Sequence, residues 1–286
     1  MSEAYENFAK ETYETVYNAA RQNLSEAQTK PILMVSGEDH HDPLLETITN
    51  WWTDDEKEAP ANSAAYTHIA AIKAAEDLVG RGNVIISFEQ DPKFMQDLLS
   101  NMNRGLIPDF ALDPGPAQMA LLYAYQNGFD IVGTDAGYKI VMERADGNAV
   151  EAVNDPQRYA MENAAISALA ENARIVVHIG GAAHIMTLQG YLPDSDFSDP
   201  NNLPAPADNP FDGVYGRVLY FNSDDEFTRE SGATAFYRDP QNAIQIDAPG
   251  QMDKSDHREV GQRIDGASAD MRSPTPSGDN DFTLSR

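Results

Sequence analysis

Four short apolar segments with helical patterns between them constrain the fold of this chain most strongly. They span residues 31–35, 84–88, 129–134 and 174–179. Each is a nearly continuous apolar run, which is typical of strands buried on both faces of a sheet. Strands that alternate with helices along the chain indicate βαβ units. The sequence therefore predicts an α/β fold with a mixed, largely parallel sheet that helices cover on both faces.

The remaining patterns complete this single-domain picture of residues 1–246. Predicted helices span residues 4–22, 44–53, 63–79, 92–102, 116–127 and 155–172. Residues 193–213 hold five Asp, five Pro and no Lys or Arg, which predicts an acidic surface excursion. Late strands at 216–222, 235–238 and 244–246 are expected at an antiparallel edge. Residues 247–286 are rich in Gly, Ser, Pro and Asp, so we expect a mostly disordered tail there.

The charge and the residue types limit the partners. The formal net charge is −26, and nucleic acids and anionic membranes bind cationic surfaces, so neither is expected as the main partner. The chain has no Cys, which excludes disulfides and thiolate chemistry. No stretch is typical of a signal peptide or a membrane span. We expect a soluble protein that acts on a small-molecule or peptide substrate. It is cytoplasmic by default, and export by a non-cleaved signal is the alternative.

Polar side chains follow each of the four predicted strands. Glu38, His40 and His41 follow the first strand, and Glu89 follows the second. Asp135 follows the third, and His184 comes after Gly180-Gly181 at the end of the fourth. Ligands of α/β sheets bind in the crevice outside the carboxyl ends of the strands. The sequence therefore predicts that these side chains converge on one site.

The residue types in this group suit proton transfer or metal binding. Imidazole exchanges protons near neutral pH or ligates a metal through a neutral nitrogen, and carboxylates can orient it or act as general base. His and carboxylate ligands without a thiol suit Zn, Mn, Fe or Co. His40, Glu89 and His184 are the expected ligands if a metal is used.

Other polar residues are expected to support this site or the core. His178 alternates with apolar residues inside the fourth strand, which favours a packed or supporting role. His68 lies in a predicted helix and is interpreted as structural or exposed. Arg158 could pair with Glu38 or Glu89, hold an anionic substrate, or lie on the surface.

Three common catalytic motifs do not occur in the sequence. It contains no P-loop, no Gly-x-Ser-x-Gly nucleophile elbow and no His-Glu-x-x-His helix. A P-loop phosphoryl-transfer enzyme and a typical serine hydrolase are therefore not indicated.

The order of these motifs resembles one superfamily. Gly37-Glu38-Asp39-His40-His41-Asp42 after a strand, Glu89 at the end of the next strand, and Gly180-Gly181-Ala182-Ala183-His184 after a late strand are similar to the erythromycin esterase (EreA), ChaN and TraB/Tiki proteins. The helical stretch that begins at Arg158 is also similar, and the motif spacing is closest to ChaN. The resemblance covers residues 30–195.

The resemblance implies an EreA/ChaN-like fold and three different activities. Erythromycin esterases hydrolyse a macrolactone through His and Glu without a required metal, Tiki-type members are metal-dependent proteases, and ChaN binds haem. The leading hypothesis is an ester or peptide hydrolase with an optional divalent metal. Glu38 and His40 would position or deprotonate water, Glu89 would be partner base or ligand, and His184 a ligand or oxyanion stabiliser. His41, Asp135 and Arg158 would contact the substrate or support these groups. The alternatives are a non-catalytic haem-binding or iron-compound-binding protein, and a secreted effector or interaction protein.

Overall fold

The architecture comes from a computed structural model that describes residues 2–38, 61–112, 114–137, 140, 156–181, 210–222, 243–246 and 257–272. Its α-helices are α1 (Ser2–Glu26), α2 (Ala61–Val79), α3 (Pro92–Asn103), α4 (Pro116–Gln126), α5 (Pro156–Leu169) and α6 (His257–Arg272). Its strands are β1 (Ile32–Glu38), β2 (Val84–Phe88), β3 (Asp130–Gly133), β4 (Ile175–Gly181), β5 (Arg217–Asn222) and β6 (Ala243–Gln245). Short 3-10 turns span Arg81–Asn83 and Asp109–Leu112.

The six described strands form one sheet in the order β3-β2-β4-β1-β5-β6. Every pairing between them is parallel. This confirms the predicted α/β class and the parallel sheet. The antiparallel edge predicted for the late strands is wrong for β5 and β6, because β5 pairs with β1, and β6 with β5, in the parallel direction.

Alternating side chains divide the core between the two faces of the sheet. In β1, Ile32 and Met34 join the larger apolar cluster, to which α1, α2, α4 and α6 contribute. Leu33 and Val35 join a second cluster with Ile166 of α5. Helices therefore cover both faces, as predicted, and the central strands β1 and β4 are buried on both sides.

The chain order of the strands places a switch point beside β4. The chain moves from β1 to β2 and β3 in one direction, then returns to β4 and continues to β5 in the other. The carboxyl ends of β2, β4 and β1 therefore surround the place where connections diverge, and ligands of open α/β sheets bind at such places.

The helix α6 lies within the residues predicted to be a disordered tail, so that prediction is wrong for 257–272. Val260, Ile264 and Ala267 share one face of the helix and are buried in the larger apolar cluster. Val260, Ile264 and Met271 are the only large apolar side chains of this Gly-, Asp- and Arg-rich segment, which is too few to reveal a core helix from composition.

Polar contacts fix α6 to the rest of the protein around Asp77 of α2. We call Asp77 and its partners Tyr13, Lys73, Ser268 and Arg272 the Asp77 cluster. Tyr13 Oη donates to Asp77 Oδ2 at 2.7 Å, and Ser268 Oγ donates to the same oxygen. Lys73 Nζ and Arg272 Nη1 lie 3.1 and 3.0 Å from Asp77 Oδ1. Two cations and two hydroxyl donors therefore compensate one carboxylate.

Other predictions fall partly or wholly outside the described residues. Phe211 belongs to the predicted surface excursion, yet it is buried against the α5 side of the sheet, so that part of the prediction is wrong. The helix at 44–53, the strand at 235–238 and the excursion before residue 210 lie outside the described residues. No helix of the described part is long and apolar enough to cross a membrane.

Candidate functional site

The carboxyl ends of β3, β2, β4 and β1 lie side by side along one edge of the sheet. Glu38 ends β1 and pairs in register with Gly181 at the end of β4. Glu89 follows β2, and its backbone N–H donates to Ile179 O of β4 at 3.0 Å. The Asp135 N–H donates to Gln90 O, also at 3.0 Å, which ties the end of β3 to the end of β2. The strand ends that carry Glu38, Glu89 and Asp135 therefore lie along one edge of the sheet.

Arg158 joins two of the strand-end carboxylates. Its Nη2 donates to Glu89 Oε1 at 2.8 Å and to Asp135 Oδ2 at 2.7 Å. Its Nε donates to Asp135 Oδ2 as well, at 2.9 Å. The three side chains are between 5 and 8% exposed. Of the roles considered for Arg158, pairing with Glu89 is the one that the structure shows.

Local packing explains why Arg158 reaches this edge. It lies in the first turn of α5, and the loop that carries Asp135 runs against that turn. A Cβ added at Gly137 would lie 2.8 Å from Arg158 Cα, so only Gly allows this approach. The positive end of the α5 dipole also favours carboxylates nearby.

A second layer of polar side chains lies beneath these three residues. Glu162, one turn after Arg158 on α5, is 1% exposed and its Oε1 lies 3.8 Å from His178 Nε2. His178 Nδ1 is 2.9 Å from Ser87 Oγ of β2. We call Arg158, Glu89, Asp135, Glu162 and His178 the Arg158 cluster. It carries three carboxylates and one obligate cation.

The excess of carboxylates over cations in the Arg158 cluster affects the pKa values of its members. The pKa of Asp135 is raised, mainly because burial disfavours its charged form, and Glu162 and Glu89 raise it further. The hydrogen bond from Arg158 opposes this rise without cancelling it. Burial alone would lower the pKa of Arg158, but Asp135 and Glu89 raise it overall. The guanidinium therefore stays charged, and the charged form of Asp135 is disfavoured relative to an Asp in water.

Gly180 allows Glu89 to come close to the sheet. A Cβ at this position would meet His178 Nε2 at 3.0 Å and Glu89 Oε2 at 3.1 Å. These two atoms therefore lie against the same point above the Gly180 backbone.

A chemically similar pair lies on the opposite face of the sheet. Ser36 Oγ of β1 is 2.7 Å from His68 Nδ1 of α2, and both residues are fully buried. His68 is therefore buried, which agrees with its interpretation as structural and contradicts its interpretation as exposed. This pair provides an internal reference for Ser87 and His178.

The predicted site residues divide into three groups. Glu89, Asp135 and Arg158 are brought together. Glu38 ends β1 at the same edge, and only its backbone is described. His40, His41 and His184 lie outside the described residues.

Glu162 was missed by the sequence reasoning. Its signal was the spacing of four from Arg158, which places two residues on one helix face. Ser87 and His178 carried a signal too, because they are polar residues inside otherwise apolar strands.

The described residues of this edge do not form a metal site by themselves. No group of three or more His, Cys, Asp or Glu among them could hold a metal ion. Arg158 already binds one oxygen each of Glu89 and Asp135. A metal at this edge would therefore need ligands from outside the described residues, where His40, His41 and His184 lie.

Fold and site together define an α/β protein with a parallel sheet and a buried Arg–carboxylate cluster at its carboxyl edge. No protein-family model, curated protein or solved structure matches this chain.

Proposed function

We propose that this protein is a hydrolase of ester or peptide bonds that works at the carboxyl edge of the sheet. The observation that carries the proposal is the pairing of Glu89 and Asp135 by Arg158 at 2.8 and 2.7 Å. This pairing fixes the buried carboxylate of Glu89 at the switch point, beside the strand ends that lead to His40 and His184. The resemblance to the erythromycin esterase, ChaN and TraB/Tiki superfamily, including its fold, belongs to this proposal.

In the proposed reaction, water attacks the carbonyl carbon of the substrate. Glu38 or His40 takes the proton of that water, with Glu89 as partner base, and the proton then passes to the leaving alcohol or amine. His184 stabilises the oxyanion through an N–H. His41 and Asp135 contact or support these groups. Arg158 holds Glu89 in one orientation, because a guanidinium fixes a carboxylate by direction as well as by charge.

We propose further that the reaction needs no metal. A metal at this edge would bind Glu89 together with His40 and His184. In the described part, however, the cation that Glu89 Oε1 contacts is a guanidinium at 2.8 Å. Arg158 therefore already supplies positive charge to this carboxylate.

The test is hydrolysis of a panel of nitrophenyl esters and fluorogenic peptides by wild type and Glu89→Gln. Glu89→Gln keeps the shape of the side chain but removes its basic charge, so we expect a loss of about 100-fold or more in kcat. Glu171→Gln, an exposed change beyond the end of α5, is the matched control and should leave kcat unchanged. Full activity in Glu89→Gln would contradict the proposal.

Metal content is measured in the same preparations by mass spectrometry before and after chelation. Activity that survives chelation supports the metal-free reaction. Stoichiometric Zn, Mn, Fe or Co together with loss of activity on chelation would overturn it. If no probe is hydrolysed, a Soret band on haem titration would favour the binding function that the resemblance also implies.

A further inference from the structure

The Ser87–His178–Glu162 row is a buried polar connection that the proposed reaction does not use. Ser87 and His178 are fully buried, and Glu162 is 1% exposed. The row runs from β2 across β4 to α5, directly beneath Glu89. Polar groups are costly to bury, so a row of three in a sheet core points to a role beyond packing.

The surroundings of the His178 ring determine which nitrogen carries a proton. Nδ1 lies 2.9 Å from the Ser87 hydroxyl, which can donate or accept. Nε2 faces carboxylates instead: Glu162 Oε1 lies at 3.8 Å, and Glu89 Oε2 lies against the same point above Gly180. Carboxylates attract an N–H and repel a lone pair. Nε2 therefore carries a proton whether the ring is neutral or charged, and in the neutral ring Ser87 donates to Nδ1.

We infer that His178 is a positioning residue for Glu89, which directs its Nε2–H into the carboxylates of the Arg158 cluster. Arg158 binds Oε1 at 2.8 Å. Glu89 Oε2 and His178 Nε2 each lie about 3 Å from the point that a Cβ of Gly180 would occupy, so an Nε2–H favours one orientation of the carboxylate through charge rather than through a hydrogen bond. A carboxylate with one favoured orientation loses less freedom when it orients water. This inference rests on the proposed function in one respect: the proposed reaction makes Glu89 the group that contacts the attacking water.

The first readout is the ring ¹⁵N spectrum of His178 in the wild-type protein, assigned through its sheet neighbours. It needs no substitution and no substrate. We expect a proton on Nε2. A lone pair on Nε2 with the proton on Nδ1 would overturn the inference.

The second readout is the side-chain carboxyl ¹³C resonance of Glu89, identified by its loss in Glu89→Gln. His178→Asn removes the Nε2 donor and should shift this resonance. His178→Gln places an amide N–H near the former Nε2 and should restore it toward the wild-type position. His68→Asn on the opposite face is the matched control and should leave it unchanged. Equal shifts in His178→Asn and His68→Asn, or no rescue by Gln, would overturn the inference.

Catalysis gives a separate readout. With an active ester or peptide probe, His178→Asn should lower kcat by about tenfold or more with little change in KM, while His68→Asn changes neither. If no probe is hydrolysed, the proposed function fails, and the two NMR readouts still decide the role of His178. If hydrolysis is found but the Glu89 resonance does not shift in His178→Asn, this inference alone fails.

Discussion

The Arg158 cluster and the Asp77 cluster are both charged groups beneath the surface, but their charges are balanced differently. In the Asp77 cluster, one carboxylate accepts from two hydroxyls and faces two cations. In the Arg158 cluster, one guanidinium serves Glu89 and Asp135, with Glu162 behind them. Among the described residues, Asp77 therefore has two cations beside it, whereas the Arg158 cluster brings three carboxylates to one guanidinium.

The pKa values of the two aspartates follow this difference. Burial alone would raise the pKa of Asp77, but the hydrogen bonds from Ser268, Tyr13 and Lys73 lower it overall. The pKa of Asp135 is raised, because burial and two neighbouring carboxylates outweigh Arg158. A carboxylate whose charged form is stabilised by its surroundings holds structural elements in place, as Asp77 does for α6. A carboxylate in a crevice whose pKa is raised by burial is instead a candidate for a functional site.

The largest expected effect comes from removing the cation of each cluster. Arg158→Ala leaves Glu89 and Asp135 buried without their partner and should cost about 3–5 kcal/mol of unfolding free energy. Arg272→Ala also removes a cation that faces a carboxylate, but the Arg272 side chain is 57% exposed. We expect it to cost about 1 kcal/mol or less. Urea unfolding of both variants measures this, and equal losses would break the comparison.

The second effect separates structural from functional carboxylates. Asp77→Asn removes the charge that Lys73 and Arg272 face and leaves one acceptor oxygen in place of two, so we expect a loss of about 1–3 kcal/mol. Hydrolysis per folded molecule should be unchanged, whereas Glu89→Gln should abolish it. Thermal unfolding and kcat are measured for both variants. Loss of kcat in folded Asp77→Asn would contradict the division.

The third effect is the pH dependence of stability, which has opposite signs in the two clusters. The raised pKa of Asp135 means that its contribution is complete below the ordinary Asp pKa and is lost as pH rises through the raised value. The lowered pKa of Asp77 means that its contribution is present above the ordinary value and is lost as pH falls through the lowered one. In Asp135→Asn, the unfolding free energy should therefore lose the decrease that accompanies rising pH above the ordinary Asp pKa. In Asp77→Asn, it should lose the decrease that accompanies falling pH below the ordinary Asp pKa. The reverse pattern would contradict the directions assigned to the two pKa shifts.

The smallest effects come from adding a methyl group at glycines in the two regions. Gly180→Ala places a Cβ about 3 Å from His178 Nε2 and Glu89 Oε2, so it should displace Glu89 and lower kcat with little unfolding. Gly261→Ala in α6 meets Tyr123 Cδ2 at 3.0 Å, so the helical gain and the crowding should nearly cancel. Gly266→Ala meets nothing within 4 Å and should stabilise by about 0.5–1 kcal/mol. Melting temperatures and kcat of the three variants check this order.

Much of the fold could be predicted because its signals are local. The apolar runs that became β1 to β4 are continuous, and Pro92 with Asp91 marks the start of α3, where Asp91 Oδ1 accepts from Phe94 N–H at 2.8 Å. The direction of β5 and β6 could not be predicted, because parallel and antiparallel edges use the same apolar residues. The helix α6 was missed because most of its anchoring comes from partners on α1, α2 and α4, far away in sequence.

The sequence by itself determined the residue types at the strand ends, the α/β alternation and the absence of thiol chemistry. It placed Glu89 and Asp135 at strand ends expected to converge and offered Glu89 as one of several partners for Arg158, without deciding among them. Only the tertiary structure decided that one guanidinium lies between the two carboxylates, with Glu162 and His178 beneath them. The physical reason is that charge balance depends on distance and burial, and both arise when the sheet brings β2, β3 and β4 together under α5.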